Sequence, residues 1–353
     1  MTQQWPTIVL GGTGYVAGEF VRLTHGHPNL KLAAVVSTSE AGASMAKSFP
    51  HLESALAEFK FIDLDQAIAG LDQAPHWCVL CAAPHGAAAG MLSRLAEAAK
   101  QRDVKLTIVD ASADFRFESL EEFESIYDQP HGAPELAAQF SSGLPEHVIG
   151  TATPHIGHPG CFATAMLLGV VPLLQHNLIE GPVFVAAVTG STGSGRSAKP
   201  TTHHPERNSN FVAYNPLRHR HSAEVEGLAE LATGQRPQLA FVPHSGPFAR
   251  GIHATLQAKL SGPIAQDELL AKLRQFYDDA AFVQVTSTPP RIKDVVGTNF
   301  ARISAAAEGN TLTVFVVLDN LVKGAAGGSI QWANRLLGLP ETTGLTNTAL
   351  GWT

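Results

Sequence analysis

A short apolar run, Thr7–Leu10, is followed at once by GGTG, and beyond it Val16, Phe20 and Leu23 recur at helical spacing. No other stretch constrains the chain as much: strand, glycine turn and helix in that order dictate a βα unit whose backbone can come close to a phosphate. Gly12 and Gly14 allow the tight turn, and the N-terminus of the helix behind them offers N–H groups to a pyrophosphate. Ala17 stands at the third fingerprint position, where a small residue suffices, and Gly18 follows it. The pattern predicts a dinucleotide site, against the plainer reading of an ordinary glycine-rich turn.

The strand–helix alternation continues. Leu32–Val36, Trp77–Ala83 and Leu106–Val109 read as strands, with a helix-forming stretch over 87–100. Strands separated by helices imply right-handed crossovers and a parallel sheet. Past about residue 180 the pattern changes: Val183–Val188, Leu239–Val242, Ile252–Ala258, Phe300–Ala305 and Leu312–Leu318 are strand candidates with fewer helices between them. The expected fold class is α/β, a Rossmann-type doubly wound parallel sheet plus a second α+β domain with a mixed or antiparallel sheet. A chain of 353 residues has room for two such domains.

Charged residues make up only 16% of the chain, against about 25% in an average globular protein. That points to surface buried between subunits, hence a homo-oligomer. A net charge of −7 argues against a nucleic-acid or anionic-membrane partner. Three cysteines make no disulfide framework and suit a reducing compartment. With no basic leader and no apolar run near the ~18 residues of a membrane span, a cytoplasmic protein is expected.

Several residues carry chemistry. At the end of the second strand, where an NAD site places an acid, stand Ser37, Thr38 and Ser39; hydroxyls suit a 2′-phosphate, so NADP(H) is the expected cofactor, tempered by nearby Glu40. Cys161 follows a Pro-Gly turn and precedes a helical segment, a place where orphan N–H groups and the helix dipole stabilise a thiolate. A small buried hydrophobe is the other reading of that cysteine. Cys78 and Cys81 form C-x-x-C inside an apolar run with no second pair to complete a metal site, and read as strand core.

TGSTGSGR, at 189–196, could close over a phosphate or nicotinamide, or be a plain surface loop. His219 and His221 precede a helical run and are candidate acid/base groups; a structural role is the alternative for either. The histidines of HHPERN lack any firm zinc spacing, so no metal is expected. Arg116, after a strand end, is a candidate anion clamp or a surface ion pair.

These stretches together resemble the N-acetyl-γ-glutamyl-phosphate reductase family, NADPH-dependent enzymes of arginine biosynthesis related to aspartate-semialdehyde dehydrogenase. The resemblance runs nearly end to end, through GGTGYVAGEF, AAPHG, VDASADFR, GLPE, HPGCFATA, GSTGSGR, HRHSAE, VPHSGPFARGI, GTNF and LDNLVKGAAGG. It implies Cys161 as the nucleophile on an acyl phosphate, His221 (with His219 second) as acid/base, and Arg116 as holder of the substrate phosphate. Gly11, Gly12, Thr13, Gly14, Tyr15 and Val16, with Ser37, Thr38 and Ser39, would face the adenosine-phosphate side of NADP(H); Pro84, Gly193 and Asn320 would approach its remaining length. His158 before Pro-Gly-Cys and Phe162 after it depart from the commoner asparagine and tyrosine, which bears on substrate preference.

The resemblance further implies a small-molecule acyl-phosphate substrate, a thioester on Cys161, and a homodimer or homotetramer. It also implies a discontinuous NADP-binding domain, 1–160 and 325–353, around a catalytic and oligomerisation domain, 161–324. A sister branch, which reduces an aminoadipyl or glutamyl phosphate attached to an acidic carrier protein, is the alternative; the net charge speaks weakly against a docking face for such a carrier. A cysteine hydrolase would have no use for the glycine fingerprint. A cofactor sensor would have no use for the thiol and histidines together.

Overall fold

The computed structural model describes residues 3–148, 150 and 153–351. The chain forms two compact units: Met1–Gly143, Gly150–His158 and Ala326–Leu345 make the first, and Leu144–Ile149, Pro159–Ala325 and Thr346–Thr353 the second.

The first unit is built on six parallel strands, β1 (Trp5–Leu10), β2 (Leu30–Val36), β3 (His76–Cys81), β4 (Lys105–Asp110), β5 (Phe140–Ser142) and β6 (His155–Gly157), in the order β2-β1-β3-β4-β6-β5. The four long strands lie where the apolar runs put them, β3 ending two residues short of the expected Ala83. The two three-residue strands carry no periodicity and were not expected. Strand order reverses at β1 and β3, so the loops leaving these two strands border a crevice at their carboxyl ends, the usual ligand position in an open α/β sheet.

Helix Ala88–Gln101 covers one face through Leu92, Leu95 and Ala99, in one cluster with Ile8, Val79 and Ile108. Cys78 and Cys81 are both fully buried in β3 and, three residues apart on a strand, point to opposite faces. Helix Gly327–Leu336 also packs on this unit, against β3, β4 and helix Tyr15–His25, and its buried Trp332 donates Nε1–H to the Gly143 carbonyl at 2.9 Å.

The second unit carries seven strands: β7 (Ile179–Thr189), β8 (Val212–Ala213), β9 (Leu239–Ser245), β10 (Ile252–Leu260), β11 (Val283–Val285), β12 (Ala301–Glu308) and β13 (Thr311–Leu318). They form a mixed sheet ordered β11-β12-β13-β10-β7-β9-β8. β10 pairs antiparallel with β7 and β13, while β7 with β9 and β11 with β12 are parallel. Alternate residues Val183, Val185 and Ala187 of β7, Ala254 and Leu256 of β10, and Val314 and Val316 of β13 are buried under helix Cys161–Gln175, in which residues 162–174 are all buried. Phe184, which alternates to the other face of β7, is 57% exposed.

That central helix contains a proline. Pro172 has no N–H for the Leu168 carbonyl one turn back. The hydroxyl of buried Tyr277 donates to that carbonyl at 2.7 Å, and so satisfies the acceptor that the proline orphans. Buried neutral His147, in turn, lies 3.2 Å from the same hydroxyl through Nε2.

Candidate active site

The fingerprint turn is shaped by two glycines at positive φ, Gly11 at 110° and Gly12 at 51°. A Cβ on Gly11 would stand 2.4 Å from the Ala82 carbonyl oxygen, and one on Gly12 2.6 Å from the Ser37 side chain. Only glycine lets the chain pass between the ends of β2 and β3. Gly14, extended, is the N-cap of helix Tyr15–His25, which has no side-chain cap and no acid in its first turn. Its first N–H groups are thus left for an anion.

Of the three hydroxyls after β2, Ser37 is buried, and its Oγ accepts the Glu40 N–H at 3.2 Å; Thr38 and Ser39 are exposed. Pro84 is exposed in the loop leaving β3. That loop is held by a residue not singled out in the sequence, Asp114, whose buried carboxylate accepts the N–H groups of Gly86 and Ala89, both at 2.9 Å.

Arg116 is buried in the first unit. Its Nε donates to the His158 carbonyl at 3.0 Å and a terminal nitrogen to the Ala111 carbonyl at 2.7 Å. It thereby joins the segments that follow β4 and β6, and fixes the chain three residues before Cys161.

The other candidates gather in the second unit. Gly160, extended, is the N-cap of helix Cys161–Gln175, and neither a side-chain cap nor an acid occupies the first turn. Half-buried Cys161 therefore opens a helix whose N-terminal dipole favours a negative sulfur. It lines a cavity of about 780 Å³ together with Tyr214, His219 and His221. The two imidazoles lie 4.6 Å apart between ring centroids, and both rest edge-on against Phe162.

His219 Nδ1 accepts the backbone N–H of His221 at 3.2 Å, which leaves the ring proton on Nε2 in the neutral form. Burial, reinforced by Arg220, pushes His219 down to about 4, so it is neutral at physiological pH. Burial first, and then Cys161, push the Tyr214 phenol up, so it remains a protonated donor.

Sequence reasoning passed over Glu224. It lies one helical turn from His221 in helix His221–Thr233 and is 1% exposed. Its Oε1 accepts the Gly160 N–H at 2.6 Å, and its Oε2 stands 3.9 Å from His221 Nε2. The spacing HSAE within the quoted motif was the available signal. Lys199, Arg207 and Arg218 line the same cavity and were also passed over. With Arg220, and against the one acid Glu206 among the lining residues, they give it a net positive lining suited to an anionic substrate.

Gly193, on the 3-10 turn Ser191–Ser194 rather than in an irregular loop, reaches the cavity too, beside Thr189, whose buried Oγ1 has no hydrogen-bond partner among the described residues. Asn320 is committed to this turn: its Nδ2 donates to Thr192 Oγ1 at 3.0 Å and its Oδ1 accepts the Gly251 N–H at 2.7 Å. Among the described residues, no group of three or more His, Cys, Asp or Glu is placed to hold a metal.

Comparison with known proteins adds the family. Residues 7–146 match the description "Semialdehyde dehydrogenase, NAD binding domain" and residues 161–320 "Semialdehyde dehydrogenase, dimerisation domain". The chain is 37% identical to the N-acetyl-gamma-glutamyl-phosphate reductase of Polynucleobacter asymbioticus, over 97% of this chain and 98% of that one. It is 38% identical to that of Cellvibrio japonicus, with the same coverage. Among solved structures, aspartate semialdehyde dehydrogenase II of Vibrio cholerae superposes with a TM-score of 0.68 at 15% identity, over 96% of this chain and 99% of that one, which shows a shared fold. The aspartate semialdehyde dehydrogenase of Candida albicans, solved with NADP, gives 0.67 at 14%, over 94% and 98%. With relatives this similar along almost its whole length, the chain belongs to the N-acetyl-gamma-glutamyl-phosphate reductase family of semialdehyde dehydrogenases.

Proposed function

We propose that this oxidoreductase reduces N-acetyl-γ-glutamyl phosphate to N-acetylglutamate 5-semialdehyde and phosphate, with NADPH as reductant and a thioester on Cys161 as intermediate. The observation that carries the reading is the single cavity in which a thiol at an uncapped helix N-terminus meets two imidazoles and the cations Lys199, Arg207 and Arg218. An acyl phosphate with a free α-carboxylate is anionic at both ends, and such a lining complements it.

The fingerprint turn fits the dinucleotide: Gly11 and Gly12 let it pack against Ala82 and Ser37 at the ends of β3 and β2, and the uncapped, acid-free helix start behind Gly14 leaves backbone N–H groups for a pyrophosphate, so Gly11 to Val16 would hold it. Exposed Thr38 and Ser39 suit a 2′-phosphate better than a carboxylate there would. When bound, NADPH supplies the hydride that reduces the thioester.

The chain's own groups manage the rest. Cys161 sulfur attacks the acyl carbon, forming the C–S bond as the bond to phosphate oxygen breaks, and the departing phosphate carries away the electron pair. Cavity N–H groups and cations stabilise that charge. His221, oriented by Glu224, gives a proton to the carbonyl oxygen during reduction and takes it back as the C–S bond breaks and the aldehyde leaves. Neutral His219 donates from Nε2. Arg116, spent on two backbone carbonyls, acts in this reading by fixing the segment that enters Pro-Gly-Cys.

A match to a dimerisation domain, the low charge content and exposed Phe184 support a homodimer. Among the described residues no helix is long and apolar enough to cross a membrane, which accords with a cytoplasmic enzyme. The test is the phosphate-dependent reverse reaction, followed as NADP+ reduction, with free N-acetylglutamate semialdehyde beside its carrier-linked counterpart. Turnover of the free substrate is expected. Turnover of the carrier-linked one alone would overturn the substrate assignment, and silence on both would overturn the nucleophile.

A further inference from the structure

Two of the quoted motifs have no part in that scheme, yet they meet inside the second unit. Glu146, from GLPE, and Lys323, from LVKGAAGG, lie 177 residues apart in sequence and form an ion pair of 2.5 Å whose side chains are 1% and 0% exposed. Taking two charges out of water is unfavourable, and apolar residues of the same volume would often hold a fold as well. The pair therefore calls for an explanation other than stability.

Its surroundings supply one. Lys323 belongs to a π-turn, Val322–Ala326, in which the Gly324 N–H reaches back five residues to the Asp319 carbonyl at 3.0 Å. The Asp319 carboxylate fixes the start of the turn by accepting the N–H groups of Leu321 and Val322. Such turns are rare and recur at functional sites. The residue after the lysine lies directly against the thiol-bearing residue: a Cβ on Gly324 would stand 2.7 Å from the Cys161 Cβ and 3.0 Å from its Cα. The segment holding Glu146 also reaches the cysteine's helix elsewhere, through His147, Tyr277 and the Leu168 carbonyl.

We infer that the Glu146–Lys323 pair is a positioning device for the reaction: it locks the π-turn so that the Gly324 backbone seats Cys161 and aims its sulfur into the cavity. Both are positioning residues rather than catalytic ones. The inference rests on the reading of Cys161 as nucleophile.

Removing one charge would strand the other in the interior, so the test uses the double variant Glu146→Gln/Lys323→Met, with Gly324→Ala as a second variant that leaves the pair intact and presses on Cys161 directly. Lys323→Arg is the conservative control. The rate of Cys161 alkylation by iodoacetamide is followed across pH, the buried Cys78 and Cys81 staying silent, beside kcat and KM of the reverse reaction and NADP+ affinity.

Both variants are expected to displace the alkylation profile and lower kcat about 10- to 100-fold, the effect of a small misplacement, with KM and NADP+ affinity changed by no more than about threefold. Lys323→Arg should recover most of the loss. Gly324→Ala with the wild-type alkylation profile and kcat would overturn the inference, as would a folded double variant with both unchanged. If the double variant does not fold, Gly324→Ala decides. Wild-type turnover with unaffected variants would sink this inference alone; a wild-type enzyme silent on both semialdehydes would sink the underlying reading with it.

Discussion

Glu224 holds the backbone N–H of Gly160 with one carboxylate oxygen at 2.6 Å and faces the His221 imidazole with the other. One buried side chain thus sets both the residue before the candidate nucleophile and the candidate acid/base. Glu224→Gln keeps an acceptor for Gly160 but removes the charge that orients and stabilises a protonated His221. It should fold normally and lower kcat about 10- to 100-fold with little change in KM. Glu224→Ala should in addition destabilise the protein by about 1–3 kcal/mol, since it strands a buried donor. Steady-state kinetics with urea unfolding checks both; a glutamine variant with wild-type kcat would remove Glu224 from the mechanism.

Gly12 has the left-handed φ of 51° and no room for a Cβ beside Ser37. Gly12→Ala should therefore push the turn away from the end of β2 and weaken NADP(H) binding by at least about tenfold, through strain of about 1–2 kcal/mol plus lost phosphate contacts. Fluorescence titration measures the affinity, and alkylation of Cys161 should stay as in the wild type. Unaltered affinity would place the dinucleotide elsewhere.

Burial pushes His147 down to about 4, with Glu146 opposing and Lys323 assisting. The unfolded imidazole titrates near its ordinary 6.5, so below that pH the unfolded state binds the extra proton. The neutral form's contribution is intact above 6.5 and is lost as pH falls towards 4, by up to about 3 kcal/mol. His155 and His219, both also lowered to about 4 by burial, act in the same direction. His147→Asn should flatten the acid slope of urea stability relative to wild type; parallel slopes for the two proteins would show that His147 is not the titrating group.

How far the sequence could anticipate this molecule depends on the range of the signal. β1 to β4 and the turn at Gly11 were legible because apolar runs, glycines and helical spacing act within a dozen residues. β6 and β5, three residues each, are strands only because β4 offers an edge to β6 and β6 in turn offers one to β5. That helices start at Cys161 and His221 was legible from the Pro-Gly turn and the helical runs beside them. The Glu224 contact with Gly160, the pairing of Glu146 with Lys323, and the commitment of Arg116 and Asn320 to backbone and turn were not, because each is decided by a partner far along the chain.

Phe184 faces away from the helix-covered side of β7, in register with Gln257 of β10 and Ala240 of β9, and is 57% exposed. If subunits associate through this face, Phe184→Glu must bury a charge in place of an apolar ring, an exchange costing several kcal/mol per subunit. Sedimentation velocity should then show a smaller species than the wild type at the same concentration. An unchanged sedimentation coefficient would move the interface off this face.

The link between Pro172 and Tyr277 makes a thermodynamic cycle available. Tyr277→Phe removes the donor from the Leu168 carbonyl, which Pro172 already deprives of its helical partner. With both gone, a buried acceptor is left unpaired, so this variant should lose about 1–3 kcal/mol in urea unfolding. Pro172→Ala supplies an N–H one turn ahead of that same carbonyl, and in the Tyr277→Phe background it should recover much of the loss. The two substitutions act on one acceptor, and their effects should therefore fail to add by about 0.5–3 kcal/mol. Strict additivity would mean that the tyrosine hydroxyl and the proline act on the helix independently, and that the hydroxyl's place in the core has another cause.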